Sequence, residues 1–378
     1  MKFSVKIESI EAEVKNSSLI IWSKSPLRIL SSAILNGGLE EANGIINVQV
    51  SEGCGKDKDD EHWNAKDFLN RKVLSLHLPN DQVVGLMTAA KVQNVAISSK
   101  KYNETTVTVL TTAGTTVAVA AGETAASNDD SFKLEKCGTI NIILLVDGNL
   151  TESCMVDALK TVTEAKTVAL RELDVRSRFS GDIASGTLTD SVVVACTKKG
   201  AEIQFAGTFT MVGELIGKCV RETVKTAIYK QEKFVSNRPL AERLAERGIS
   251  SESIISLLCE PQIRRKPLKY QQLKKQVVQI LSDKKIAALV MASLRFDDDL
   301  KKGLIPASQT NDSVNKVLFE EIIQTALRDF LSENKAFSDF DFKKEKPANE
   351  DNLGPFTRCV FLAILEKTCS NIINNLSD

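Results

Sequence analysis

The chain has 378 residues, enough for two compact domains. Its 43% apolar and 26% charged content is that of an ordinary globular protein, and 49 basic against 49 acidic side chains leave no cationic excess of the kind a nucleic-acid partner favours. No stretch approaches about 18 unbroken apolar residues, so no membrane span is expected. Residues 1–13 alternate apolar and charged side chains (Phe3, Val5 and Ile7 against Lys2, Lys6 and Glu8) and read as a strand, not a secretory leader. The eight cysteines form no CxxC pair and several lie in apolar segments, which fits free buried thiols and a cytoplasmic setting.

In chain order, residues 3–14 and 18–22 read as strands. Residues 26–35 read as a short helix that starts at Pro26 and stops at Asn36-Gly37-Gly38, a tripeptide that either ends the helix or lets backbone approach a ligand. Residues 45–50, 92–98 and 105–110 follow as strands. The clearest unit spans 137–173: strand 140–146, a turn at Asp147-Gly148-Asn149, and a helix capped by Thr151. Its apolar stripe is Cys154, Ala158, Val162, Ala165 and Ala169. A hydroxyl-rich turn, Ser185-Gly186-Thr187-Leu188-Thr189-Asp190, leads into strand 192–196. A second long helix covers about 211–229, with Val212, Leu215, Ile216, Cys219, Val220, Val224, Ala227 and Ile228 on its buried face. Strands interleaved with helices predict an α/β or α+β N-terminal domain with a mixed sheet over 1–230. After a polar join at 230–238, Pro239 opens a region rich in Lys, Glu, Leu and Ile. An all-α C-terminal domain is expected over 239–378, with helices at 239–247, 250–259, 270–282, 283–293, 312–332 and 356–375.

Several chemistries are absent at the level of motif. Two histidines, His62 and His77, rule out a three-histidine zinc site, and there is no HExxH, GxSxG, GxxxxGK[ST] or GxGxxG.

Seven segments in order carry a family resemblance: residues 22–39 (WSKSPLRILSSAILNGGL), 84–90 (VGLMTAA), 111–122 (TTAGTTVAVAAG), 138–147 (GTINIILLVD), 163–173 (TEAKTVALREL), 177–195 (SRFSGDIASGTLTDSVVVA) and 206–218 (AGTFTMVGELIGK). Over 1–230 the chain resembles the CbiZ-type adenosylcobinamide amidohydrolases. The resemblance implies cleavage of the amide that joins a corrin propionate to aminopropanol, giving adenosylcobyric acid and aminopropanol or its phosphate, with the corrinoid as substrate and no separate cofactor. The alternative is a corrinoid-binding protein without catalysis. Two departures bear on the site: Phe209 stands where a polar residue is expected, and Leu188 where Gly or Thr is more usual.

Amide hydrolysis needs a nucleophile or activated water and donors for an oxyanion. Asp190 and Glu214 are the candidate general bases, set against a carboxylate that bonds its own turn and one that answers a helix dipole. Thr187, Ser185 and an activated water remain open as nucleophile. Asn36, Gly37, Gly38, Thr112, Gly114, Gly186 and Thr189 are the candidate substrate contacts, offering neutral polar groups and unencumbered backbone amides to a polyamide ligand. Gly213 and Gly217 read as close helix packing.

Residues 239–378 resemble the helical α-ribazole-phosphate phosphatases related to phosphatidylglycerophosphatase A, through 238–249 (RPLAERLAERGI), Glu320-Glu321, 340–347 (FDFKKEKP) and 353–356 (LGPF). In that family clustered carboxylates hold Mg²⁺, which here implies Glu320, Glu321, Asp339 and Asp341. Thr357-Arg358-Cys359 stands where a paired Asp is expected, which favours a degenerate module. The expected partners are a small corrinoid and, by self-association, further copies of the chain.

Overall fold

A computed structural model describes residues 1–50, 64–123, 138–256, 267–305, 353–358 and 360–362. The chain divides into two compact units, Met1–Ser236 and Asn237–Asp378.

The first unit is built on one nine-stranded mixed sheet. Its strands are β1 (Lys2–Phe3), β2 (Ile10–Lys15), β3 (Ser18–Ser31), β4 (Gly38–Gln49), β5 (Val83–Thr88), β6 (Ala96–Tyr102), β7 (Thr105–Ala113), β9 (Ile140–Asp147) and β12 (Ser191–Cys196). Short pairs add β8 (Ala118–Val119) with β11 (Gly186–Thr187), and β10 (Asn149–Leu150) with β13 (Glu202–Ile203). Among the described residues three α-helices accompany them: α1 (Ala65–Ser75), α2 (Glu152–Leu173) and α3 (Met211–Glu232).

Strands β3 and β4 form a long ribbon that bends the sheet. Up to Trp22, β3 pairs with β2 and with the end of β4; from Leu27 it pairs with β12 and the start of β4. The register slips between Trp22 and Leu27, and Pro26, which has no N–H to give a ladder, lies in that interruption. The expected helix at 26–35 is therefore corrected: residues 26–31 are strand and 32–35 belong to the loop that follows. Its apolar spacing suits either period, and hydrogen-bonded neighbours on both edges override the local preference.

The curled sheet places its halves against each other. Leu27, Ile29, Ile45, Leu86, Leu110, Ile143, Leu145 and Val193 fill the space between them. The other face of β7, β9 and β12 packs on α2 and α3 through Val107, Val109, Ile142, Leu144, Val194, Val162, Ile216 and Val220. The apolar run of β9 from Ile142 to Val146 follows from this: alternate residues enter two different cores, so none of these positions is left for water. Helix α1, not anticipated from the sequence, covers β4 and β5 with Leu69 and Val73. The expected cap of α2 is present, with Thr151 accepting from the Cys154 amide, and α3 has a cap of its own in Thr210, which accepts from the Gly213 amide. Cβ added to Gly213 would lie 1.9 Å from the Gly207 carbonyl oxygen, so this glycine serves close packing.

In the second unit the described elements are helices: α4 (Leu240–Ala245), α5 (Ser251–Ser256), α6 (Pro267–Leu281) and α7 (Lys284–Lys301). Leu244, Ile254, Ile255, Val277, Val290, Val360 and Phe361 form its core. The expected helix at 312–332 lies outside the described residues. No described helix is long and apolar enough to cross a membrane.

Candidate active site

The parallel strands β9 and β12 both begin at one rim of the sheet, where antiparallel β7 ends. The turn 185–190 closes over this rim and carries five of the residues singled out from the sequence: Ser185, Gly186, Thr187, Thr189 and Asp190. The Asp190 carboxylate is the hub. Its Oδ1 accepts from the Ile140 amide at 3.0 Å and from the Thr187 hydroxyl; its Oδ2 accepts from Lys166 Nζ at 2.5 Å and from the Thr187 amide at 3.1 Å. Four donors occupy all the lone-pair directions a carboxylate offers.

Lys166 projects from the inward face of α2, and the pair is largely withdrawn from water, with side-chain exposures of 9% and 11%. Gly186 makes room for it: a Cβ there would come within 2.5 Å of Asp190 Oδ2 and 2.8 Å of Lys166 Nζ. Pairing of β11 with β8 sets Thr187 opposite Ala118, while Leu188 and Thr189 stay exposed at the tip of the turn. The Thr189 and Thr139 hydroxyls lie 2.8 Å apart, Gly114 N–H reaches the Thr139 carbonyl at 3.0 Å, and Ser185 Oγ accepts from the Ala121 amide at 2.8 Å. Beside this rim, Glu123 is subject to burial, which works to raise its pKa, but hydrogen bonds from Ser180, Ala120 N–H and Ser177 together hold it below the usual glutamate value.

The other sequence-derived residues lie elsewhere. Glu214 is half exposed at the start of α3 and pairs with Lys218 one turn on; no described contact joins it to Asp190. Asn36, at positive φ, spends its amide on the carbonyls of Asn80 and Val83 at 2.9 and 2.8 Å, tying the 32–38 loop to the start of β5. Gly37 is packed against Ala33, whose carbonyl oxygen a Cβ would meet at 2.2 Å, and Gly38 takes a φ of +99° with open space around it. Thr112 is buried between the sheet halves, where its hydroxyl accepts from Asn47 and Asn47 in turn accepts from Asn141, each at 2.9 Å. It is a member of the core as the structure stands. Glu320, Glu321, Asp339 and Asp341 lie outside the described residues, and the described residues contain no group of three His, Cys, Asp or Glu side chains placed to hold a metal ion.

Sequence reasoning gave no role to Lys166, Thr139, Asn47 or Asn141. Lys166 carried a signal: it lies four residues after Val162 and three before Ala169, on the stripe that otherwise faces the core. The described cysteines are reduced and buried; burial pushes the Cys154 thiol to about 11, out of the nucleophilic range at neutral pH.

A hydroxyl, a carboxylate and an ammonium in one hydrogen-bonded line have the layout of an activated nucleophile: an O–H, a base within its reach, and a third group orienting the base.

Residues 2–236 match the family described as adenosylcobinamide amidohydrolase. The chain is 32% identical over 245 residues to an uncharacterized protein of Methanocaldococcus jannaschii, covering 61% of this chain and 92% of that one. It is 29% identical over 228 residues to an adenosylcobinamide amidohydrolase of Methanosarcina mazei, covering 58% and 98%. A solved structure, the PH0078 protein from Pyrococcus horikoshii, aligns with a TM-score of 0.29 at 11% identity over 57% of this chain and 78% of that one, too slight a likeness to build on.

Proposed function

Because the chain belongs to the adenosylcobinamide amidohydrolase family over more than half its length, we propose that it hydrolyses the amide between the corrin propionate and aminopropanol of adenosylcobinamide, and that the Thr187–Asp190–Lys166 cluster carries the reaction. The observation that supports this reading most is the buried Asp190 carboxylate, hydrogen-bonded on one oxygen to a threonine hydroxyl and on the other to an ammonium.

Thr187 Oγ attacks the amide carbon and its proton passes to Asp190 along the hydrogen bond already in place. The tetrahedral adduct then expels the amine, which leaves with that proton. Water attacks the resulting ester, its proton passes to Asp190, and Thr187 departs as the free hydroxyl. The products are adenosylcobyric acid and aminopropanol. Lys166 donates to the second carboxylate oxygen and holds it still. Exposed neighbours such as Leu188 and Thr189 suit a ligand with apolar ring faces and a rim of neutral amides.

The test is incubation with adenosylcobinamide followed by chromatography. Adenosylcobyric acid in the products, lost in Thr187→Val, supports the reading. Cobinamide that is retained by the protein but returned uncut sinks it and favours a binding protein.

The phosphatase reading of the C-terminal unit rests on resemblance alone. Described residues supply no cation site there, and Thr357, in place of an expected Asp, is buried with its N–H on the Asp297 carboxylate at 2.8 Å. Phosphate release from α-ribazole-5′-phosphate with and without Mg²⁺ decides it, with Glu320, Glu321 and Asp341 as the ligands to substitute.

A further inference from the structure

The last turn of α3 ends on a carboxylate, where the helix dipole favours a cation. Glu232 is nonetheless half buried, and both of its oxygens are engaged by one residue: Oε1 accepts from the Thr115 amide at 2.6 Å and Oε2 from the Thr115 hydroxyl. Its neighbours hold the next loop. Gln231 accepts from the Lys91 amide and the Asn94 side chain, and Lys230 donates to the Val95 carbonyl.

From Thr115 two short routes lead to the candidate active site. In one, Ala118 N–H bonds the Thr115 carbonyl at 3.1 Å, and Ala118 is the β8 residue paired with Thr187. In the other, Gly114 N–H bonds the carbonyl of Thr139, whose hydroxyl meets Thr189 and whose successor Ile140 donates to Asp190. A local preference broken at a helix end, with both oxygens committed to a loop that flanks a reacting hydroxyl, is the pattern expected where function overrides propensity.

We propose that Glu232 is a positioning residue of this site: it holds the 114–119 segment so that Thr187 and Asp190 keep their mutual geometry. The inference rests on the amidohydrolase reading for its kinetic consequence. It does not rest on that reading for its structural one.

The experiment compares full-length wild type, Glu232→Ala and Glu232→Gln by steady-state kinetics on adenosylcobinamide and by amide hydrogen exchange. Glutamine keeps an acceptor for the Thr115 amide and presents an NH₂ to its hydroxyl. The expected result is a kcat lower by about 100-fold in Glu232→Ala with KM within about twofold, since small misplacements of reacting groups act on kcat. Most of the rate returns in Glu232→Gln, and exchange is faster at residues 115–119 in the alanine variant alone. Wild-type kcat in Glu232→Ala, or equal impairment of the two variants, overturns the proposal. If wild type itself leaves adenosylcobinamide uncut, the functional reading has failed, and exchange at 115–119 decides the positioning role: faster in Glu232→Ala upholds it, unchanged ends it.

Discussion

The first unit contains two carboxylate–lysine pairs that lie at opposite extremes of environment. At the rim of the sheet, Asp190 and Lys166 are nearly excluded from water, and Asp190 is met by three further donors from two other segments. On the surface of α3, Glu214 and Lys218 are neighbours one helical turn apart, with exposures of 51% and 58%. In sequence the two acids look alike, each a carboxylate near a turn or helix start. In space one organises three chain segments and the other decorates a helix. Desolvation makes the difference: charges that have left water depend on their partners, whereas charges still in water hardly do.

The largest expected effect comes from breaking the buried pair. Asp190→Ala strands Lys166 and releases the 185–190 turn; it should cost about 3–5 kcal/mol by denaturant unfolding, as loss of one partner of a buried ion pair does. Hydrolysis of adenosylcobinamide should fall below detection. Lys166→Met should follow with a similar stability loss. The double change Asp190→Leu with Lys166→Met sharpens the contrast, because an apolar pair of similar volume should recover most of the stability and none of the activity. Recovery of activity in the double variant would show that the cluster is a structural clasp only.

A smaller effect is expected from Gly186→Ala. The added methyl would fall 2.5 Å from Asp190 Oδ2, so the ion pair must shift. A loss of about 1–3 kcal/mol in thermal or denaturant unfolding is expected, in the range of overpacked cores, together with lower kcat. An unchanged melting curve would mean that the pair has slack and does not tightly orient Thr187.

The smallest belongs to Glu214→Gln. With both partners about half exposed, the change should stay within about 0.5 kcal/mol in unfolding and leave kcat and KM unaltered. A marked drop in kcat would reverse the comparison and return Glu214 to the role of general base.

Much of the fold was legible locally. The strand–turn–helix from Ile140 to Leu173, with Thr151 as cap, and the amphipathic α3 are written in apolar period and capping residues, signals that act within a few residues of themselves. The 185–190 turn was legible as a cluster of hydroxyls ending in an acid. Residues 26–31 were not, because Pro26 and the apolar spacing after it fit a helix start as well as a strand, and only the neighbours β12 and β4 decide between them. The burial of Thr112 was not legible for a related reason: a threonine beside a glycine turn looks available, and the curl of the sheet buries it against Asn47.

By itself, then, the sequence determined the two long helices α2 and α3, the central strands, the turn carrying Thr187 and Asp190, and the family. The tertiary structure decided which polar side chains work together. Lys166 lies 24 residues before Asp190, and Glu232 lies 117 after Thr115. Periodicity and capping are local properties of a chain, whereas an ion pair between a helix and a distant turn exists only once the sheet has brought them together and taken the water away.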